Sequence, residues 1–132
     1  MVVRLRNSTW VVGILFCLGC HSGPRLYDVS GIVTFDGKPV DEGEMILVAA
    51  DNSVAPDVGK IEGGEFHFKA KAGKKKVQIR ASRKVPGQGP MGENFVYDSY
   101  IPHRYNDETT LEAEVSTTSD NHFRFELQPD KE

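Results

Sequence analysis

Four histidines, His21, His67, His103 and His122, are the side chains through which this 132-residue chain could hold a transition metal or move a proton near neutral pH. No two of them stand at the i, i+2 or i, i+4 spacing of a local metal site, so no metal is expected. Glu62, Glu93, Asp98 and Asp107 are the nearest approach to a calcium set, but the sequence has no Asp-x-Asp-x-Asp run to wrap that ion in oxygens. A Ser, His and Asp triad can be composed from any such chain, yet no nucleophile elbow announces one, and neither catalytic residues nor a cofactor are expected. What remains is recognition. Phe95, Tyr97, Tyr100 and Tyr105 gather around Arg104 in the segment 84–109, which is long for a connection and carries Pro86, Pro90, Pro102, Gly87, Gly89 and Gly92. Aromatic rings with an arginine suit a binding surface. The same rings could instead lie flat over one open end or edge of the domain as a structural clasp, and the sequence leaves both readings open.

The two thiols, Cys17 and Cys20, invite a different chemistry. Residues 1–9 contain Arg4 and Arg6 and no acid, and the uncharged run Trp10-Val-Val-Gly-Ile-Leu-Phe-Cys-Leu18 follows. That order reads as a signal peptide, since the apolar run is about half of the roughly 20 residues a spanning helix needs. Cys17-Leu18-Gly19-Cys20 resembles the lipobox of bacterial lipoproteins, although Cys17 stands where leucine is usual. The resemblance implies acylation of Cys20, which becomes the new N-terminus and anchors the chain in a membrane through a diacylglyceryl group and an amide-linked chain. His21 is not the Asp-type signal for retention in the inner membrane, so a lipid-anchored place in the cell envelope, with the outer membrane favoured, is expected. No cysteine then remains in the mature chain for a disulfide.

Composition sets the outer limits. With 27% charged and 39% hydrophobic residues the chain suits one folded domain. Cleavage removes Arg4 and Arg6 and no acid, which makes the mature chain more acidic than the net charge of −3 of the full sequence; nucleic acid is not an expected partner.

The elements that must position these residues are strands. Tyr27, Val29, Gly31, Val33 and Phe35 alternate with polar residues, and Asp36-Gly37-Lys38-Pro39 supplies a turn. A second strand over Glu44 to Ala50 is apolar on both phases, with Met45 and Leu47 favoured inward. Val58 to Ile61 and Glu65 to Lys69 flank Glu62-Gly63-Gly64, a hairpin that would turn Phe66 and Phe68 inward. Strands over Lys74 to Arg83, Thr110 to Ser116 and His122 to Gln128 direct Val77, Ile79, Ala81, Leu111, Ala113, Val115, Phe123, Phe125 and Leu127 to one face. Lys74-Lys75-Lys76 reads as a solvated strand edge that discourages aggregation, with contact to anionic headgroups or polymers as the other reading. The expectation is an all-β single domain, a seven-stranded antiparallel β-sandwich over 27–129, after a signal peptide at 1–19 and a lipidated tether at 20–26, with a tail at 130–132.

Three stretches together resemble the carboxypeptidase regulatory-like, or transthyretin-like, domains found in small bacterial lipoproteins. They are Val29-Ser-Gly-Ile-Val-Thr-Phe-Asp-Gly-Lys-Pro-Val40 with Glu42-Gly43, the approach Ala72-Gly73-Lys74 to Val77-Gln-Ile-Arg80, and Tyr100-Ile-Pro-His-Arg-Tyr-Asn106 leading to Thr110-Leu-Glu-Ala-Glu-Val115. The resemblance implies the sandwich and a non-enzymatic accessory or binding role, and it names no ligand. Transthyretin-fold hydrolases of hydroxyisourate carry a C-terminal Tyr-Arg-Gly-Ser, whereas this chain ends Gln128-Pro-Asp-Lys-Glu132, so that activity is not implied. The expected role is an interaction or structural module with a protein or polysaccharide partner. The alternative is a carbohydrate- or small-ligand-binding accessory domain using Phe95, Tyr97, Tyr100, Arg104 and Tyr105.

Overall fold

A computed structural model describes Gly19 and residues 23–131; Cys20 and nearly all of the expected signal peptide at 1–19 lie outside the described residues. The chain is all-β. Its strands are β1 (Leu26–Phe35), β2 (Lys38–Pro39), β3 (Glu42–Ala49), β4 (Asp57–Glu62), β5 (Glu65–Lys71), β6 (Gly73–Pro86), β7 (Phe95–Ser99), β8 (Glu112–Val115) and β9 (Asn121–Leu127), with one 3-10 turn at His103–Tyr105. They form one continuous curled sheet in the order β2-β1-β5-β4-β3-β6-β7, to which β9 adds along β1 and β8 along β6.

Alternation drives the curl. Val29 and Val33 of β1, Met45 and Leu47 of β3, Ile61 of β4, Phe66 of β5, Val77 and Ile79 of β6, Ala113 and Val115 of β8, and Phe125 and Leu127 of β9 share one buried cluster. Each fully buried side chain of this size contributes about 1.5–3 kcal/mol, which is what bends the sheet around a common interior. Met45 and Leu47 are the inward pair of β3, at 0% and 1% exposure, and Phe68 is half-buried, its ring lying over Gly59.

Two tight hairpins fix the register. Asp36 and Gly37 join β1 to β2 with both φ angles positive, and Gly63 and Gly64 join β4 to β5 the same way, which matches a two-residue turn of the primed kind. At the junction of three strands, Gly31 pairs with Phe66 on one side and Phe123 on the other; a Cβ there would sit 1.8 Å from the Phe123 carbonyl oxygen.

Four sequence expectations change. Among the described residues the strands number nine rather than seven, because β2 and β7 add to the set. The sheet is not wholly antiparallel: β9 runs parallel to β1 from Val29↔Asn121 to Phe35↔Leu127. The segment 84–109 is not a plain loop, since its first three residues extend β6 and β7 lies within it. Period two failed there because no described residue from 82 to 99 belongs to the buried core, so nothing selects an inward phase. Finally, the three lysines do not mark an edge. Lys74, Lys75 and Lys76 pair with β8, Lys75 and Lys76 also pair with β3, and Lys75 is 2% exposed.

Candidate functional site

The aromatic segment divides at Tyr100. Before it, Ser82–Pro86 of β6 pair with Phe95–Ser99 of β7, making a two-stranded arm that extends the sheet past the core. Its tip is held by backbone bonds from Gly87 to Asn94 and from Gly89 to Glu93. On one face of the arm Phe95 and Tyr97 meet edge to face at 5.8 Å, with Lys84 Nζ 4.6 Å from the Phe95 ring centroid and 5.8 Å from that of Tyr97. Arg83 forks onto Asp98 at 3.2 Å on the exposed side.

Where the arm leaves the sheet, a cleft of about 500 Å³ opens against β2 and the start of β3. Tyr97, Tyr100 and Phe35 give it ring surface; Lys38, Arg83 and Lys84 line it with cations, and Asp41 and Glu42 with carboxylates. Tyr97 is 67% exposed. Tyr100 is half-buried, packed edge to face on Phe35 at 5.4 Å under the Arg83 guanidinium. Burial raises the Tyr100 phenol above its ordinary value, the Asp41 carboxylate adds to that, and Arg83 opposes it. The arrangement offers flat apolar faces flanked by both signs of charge, a composition that can grip a polar ligand.

After Tyr100 the chain is tied down. Ile101 is buried, and Asn106, 9% exposed, donates from Nδ2 to the carbonyls of Ile101 and Pro102 while its Oδ1 accepts from the Asp107 amide at 2.7 Å. The Thr109 hydroxyl donates to the Val77 carbonyl of β6 at 2.6 Å. Arg104 Nη2 donates to the carbonyls of Gln128 and Pro129 at 2.6 and 2.9 Å, Nη1 meets Asp130 at 3.0 Å, and the guanidinium lies 4.8 Å from the Tyr105 ring centroid. The Tyr105 hydroxyl accepts from the Gln128 amide. Arg104 and Tyr105 thus clamp the segment that follows β9.

Of the five residues singled out by sequence, Tyr97 and Tyr100 line the cleft, Phe95 stands behind Tyr97, and Arg104 and Tyr105 hold the C-terminal segment. Sequence reasoning missed Lys38, Asp41, Glu42, Arg83 and Lys84. The available signal was the charged pair Arg83-Lys84 directly after the inward Ala81, where a strand continues beyond its core contacts. None of the described histidines lines the cleft: His67 and His122 flank Ser30 on outward positions of β5 and β9, and no group of acids, cysteines and histidines among the described residues could hold a metal ion.

No protein-family model matches this chain, and no curated protein matches it. Among solved structures it is similar to a 9R-lipoxygenase from Cyanothece PCC8801, at 14% identity and a TM-score of 0.36, over 81% of this chain. The chain spans 17% of that protein's length. A likeness of this degree carries no argument about architecture or chemistry.

Proposed function

We propose that this chain is a non-catalytic binding module of the bacterial cell envelope, anchored by lipid on Cys20, that takes its partner in the Tyr97–Tyr100 cleft. The observation that carries the binding reading is the exposed Tyr97 ring beside Tyr100, bordered by three cations and two carboxylates. An aromatic ring held in water at a concave site gains free energy when a partner covers it. The anchor rests on the order of basic residues, apolar run and Cys17-Leu18-Gly19-Cys20. The carboxypeptidase regulatory-like reading rests on the three sequence stretches that resemble that family. It is supported by the seven strands that contribute residues to the buried core, β1, β3 to β6, β8 and β9, which suit a sandwich with β2 and β7 as additions.

A carbohydrate is the ligand class that fits best, because tyrosine faces can cover sugar rings while Asp41 and Glu42 accept from hydroxyls. A protein partner is the second reading, favoured by the β7 edge on the arm. A glycan array probed with the mature chain and with Tyr97→Ala tests the first. Binding by the former that falls by tenfold or more in the variant supports the proposal, and equal binding by both removes the cleft as the site. Mass spectrometry of the mature N-terminus tests the anchor separately: an unmodified Cys20 overturns it.

A further inference from the structure

At the other end of the β3–β6 ladder, roughly 20 Å from the cleft by strand rise, a second cavity of about 400 Å³ lies beside a buried ionic cluster. Asp57 of β4, 9% exposed, accepts from the Lys71 backbone amide at 3.0 Å through Oδ2 and from the Lys71 ammonium through Oδ1. Both oxygens of the carboxylate are therefore already engaged by Lys71. Lys75 comes second: its side chain is 1% exposed, and its ammonium stands 3.9 Å from Asp57 Oδ2, too far for a hydrogen bond. Asp57 is its sole ion-pair partner among the described residues.

Two ammonium groups thus share one carboxylate, and a buried charge with a fraction of a partner is costly. Lys75 lines the cavity together with Lys71, Lys74 and Arg25. The opposing charge there is Asp51, whose Oδ1 accepts from the Ser53 amide at 3.0 Å and whose carboxylate also feels the Lys75 charge, and Glu114 stands across the ladder from Lys74. Gly73, with φ at +115°, makes the abrupt passage from β5 to β6 that sets Lys71 and Lys75 on one wall, and the space where its side chain would stand is open.

The geometry points to an oxyanion site in this cavity, taking a phosphate group, with Lys75 as its buried anchor. Lys71, Lys74 and Lys75 line the cavity with Arg25, and ammonium groups act as point charges that suit a compact anion of more than one charge. The phosphate could belong to a soluble ester or to a phospholipid headgroup. The second source is close at hand if Cys20 is acylated, because Arg25 stands five positions after it, a span of at most about 18 Å. The site itself does not depend on that acylation.

The test uses the full mature chain and the same chain with Cys20→Ser, each titrated with inorganic phosphate against chloride at matched ionic strength. The expected result is saturable binding of phosphate in both, with amide shifts at Gly73, Lys74 and Lys75. Lys75→Met should abolish it, and the exposed changes Lys74→Gln and Arg25→Gln should each weaken it by about fivefold. Those two variants keep the test valid if Lys75→Met fails to fold. Sedimentation with phosphatidylglycerol vesicles against phosphatidylcholine vesicles separates the sources. Binding to the former that free phosphate displaces assigns the headgroup, and phosphate binding without vesicle binding assigns a soluble ester. A phosphate response no greater than that to chloride, or one unchanged in all three variants, overturns the site.

Discussion

The stretches on either side of Tyr100 both carry aromatic rings, cations and carboxylates, yet they spend their side chains in opposite ways. In the arm, Tyr97 stands mostly in water, Lys84 lies over the Phe95 and Tyr97 rings, and Arg83 reaches the Asp98 carboxylate. In the clasp, Asn106, Arg104, Tyr105 and Thr109 each end on a backbone group of another segment or of the turn itself. Rings and cations alone therefore do not mark a binding surface. What separates the two stretches is whether polar tips meet carbonyls and amides of the chain, which sequence composition does not record.

Stability measurements should break the stretch at the same place. Asn106→Ala removes a buried donor from two carbonyls and an acceptor from the Asp107 amide, and should cost about 2 kcal/mol in denaturant unfolding. Arg104→Ala frees the segment after β9 and, at a half-exposed position, should cost about 1 kcal/mol. Tyr100→Phe falls between the two regions and reads out in pH. The folded chain holds the Tyr100 proton more tightly than the unfolded chain does, so its contribution is complete below pH 10 and is lost as pH rises through the higher folded value. The wild type should lose stability relative to Tyr100→Phe above pH 10, seen in thermal unfolding at stepped pH. Tyr97→Ala should change stability least, by no more than about 0.5 kcal/mol, because its ring is mostly in water. A Tyr97→Ala loss as large as that of Asn106→Ala would erase the distinction and make the whole of 84–109 one structural unit.

How much was legible follows the same logic. The inward residues of β1, β6, β8 and β9 could be read directly, because one face of each strand is buried and period two then has a cause. β7 could not, because Phe95–Ser99 pairs with β6 beyond the interior. Lys75 misled for the converse reason: a lysine among lysines suggests solvent, and only the pairing of β6 with both β3 and β8 shows that its position is enclosed. The rings of the cleft were visible as a cluster, whereas Asp41, Glu42 and Lys38 join them through a sheet order that no local window contains.

The parallel ladder between β1 and β9 carries a consequence for how the molecule comes into being. The residues that shield Val29, Val33 and Phe66 include Phe125 and Leu127, which lie far along the chain from β1. Until they arrive the interior stays open on one flank, and joining them to β1 demands closure of a loop nearly as long as the domain. Completion of the core on that flank therefore waits on the β1–β9 pairing, the most distant in sequence of the strand pairs, and this closure should govern the rate of folding.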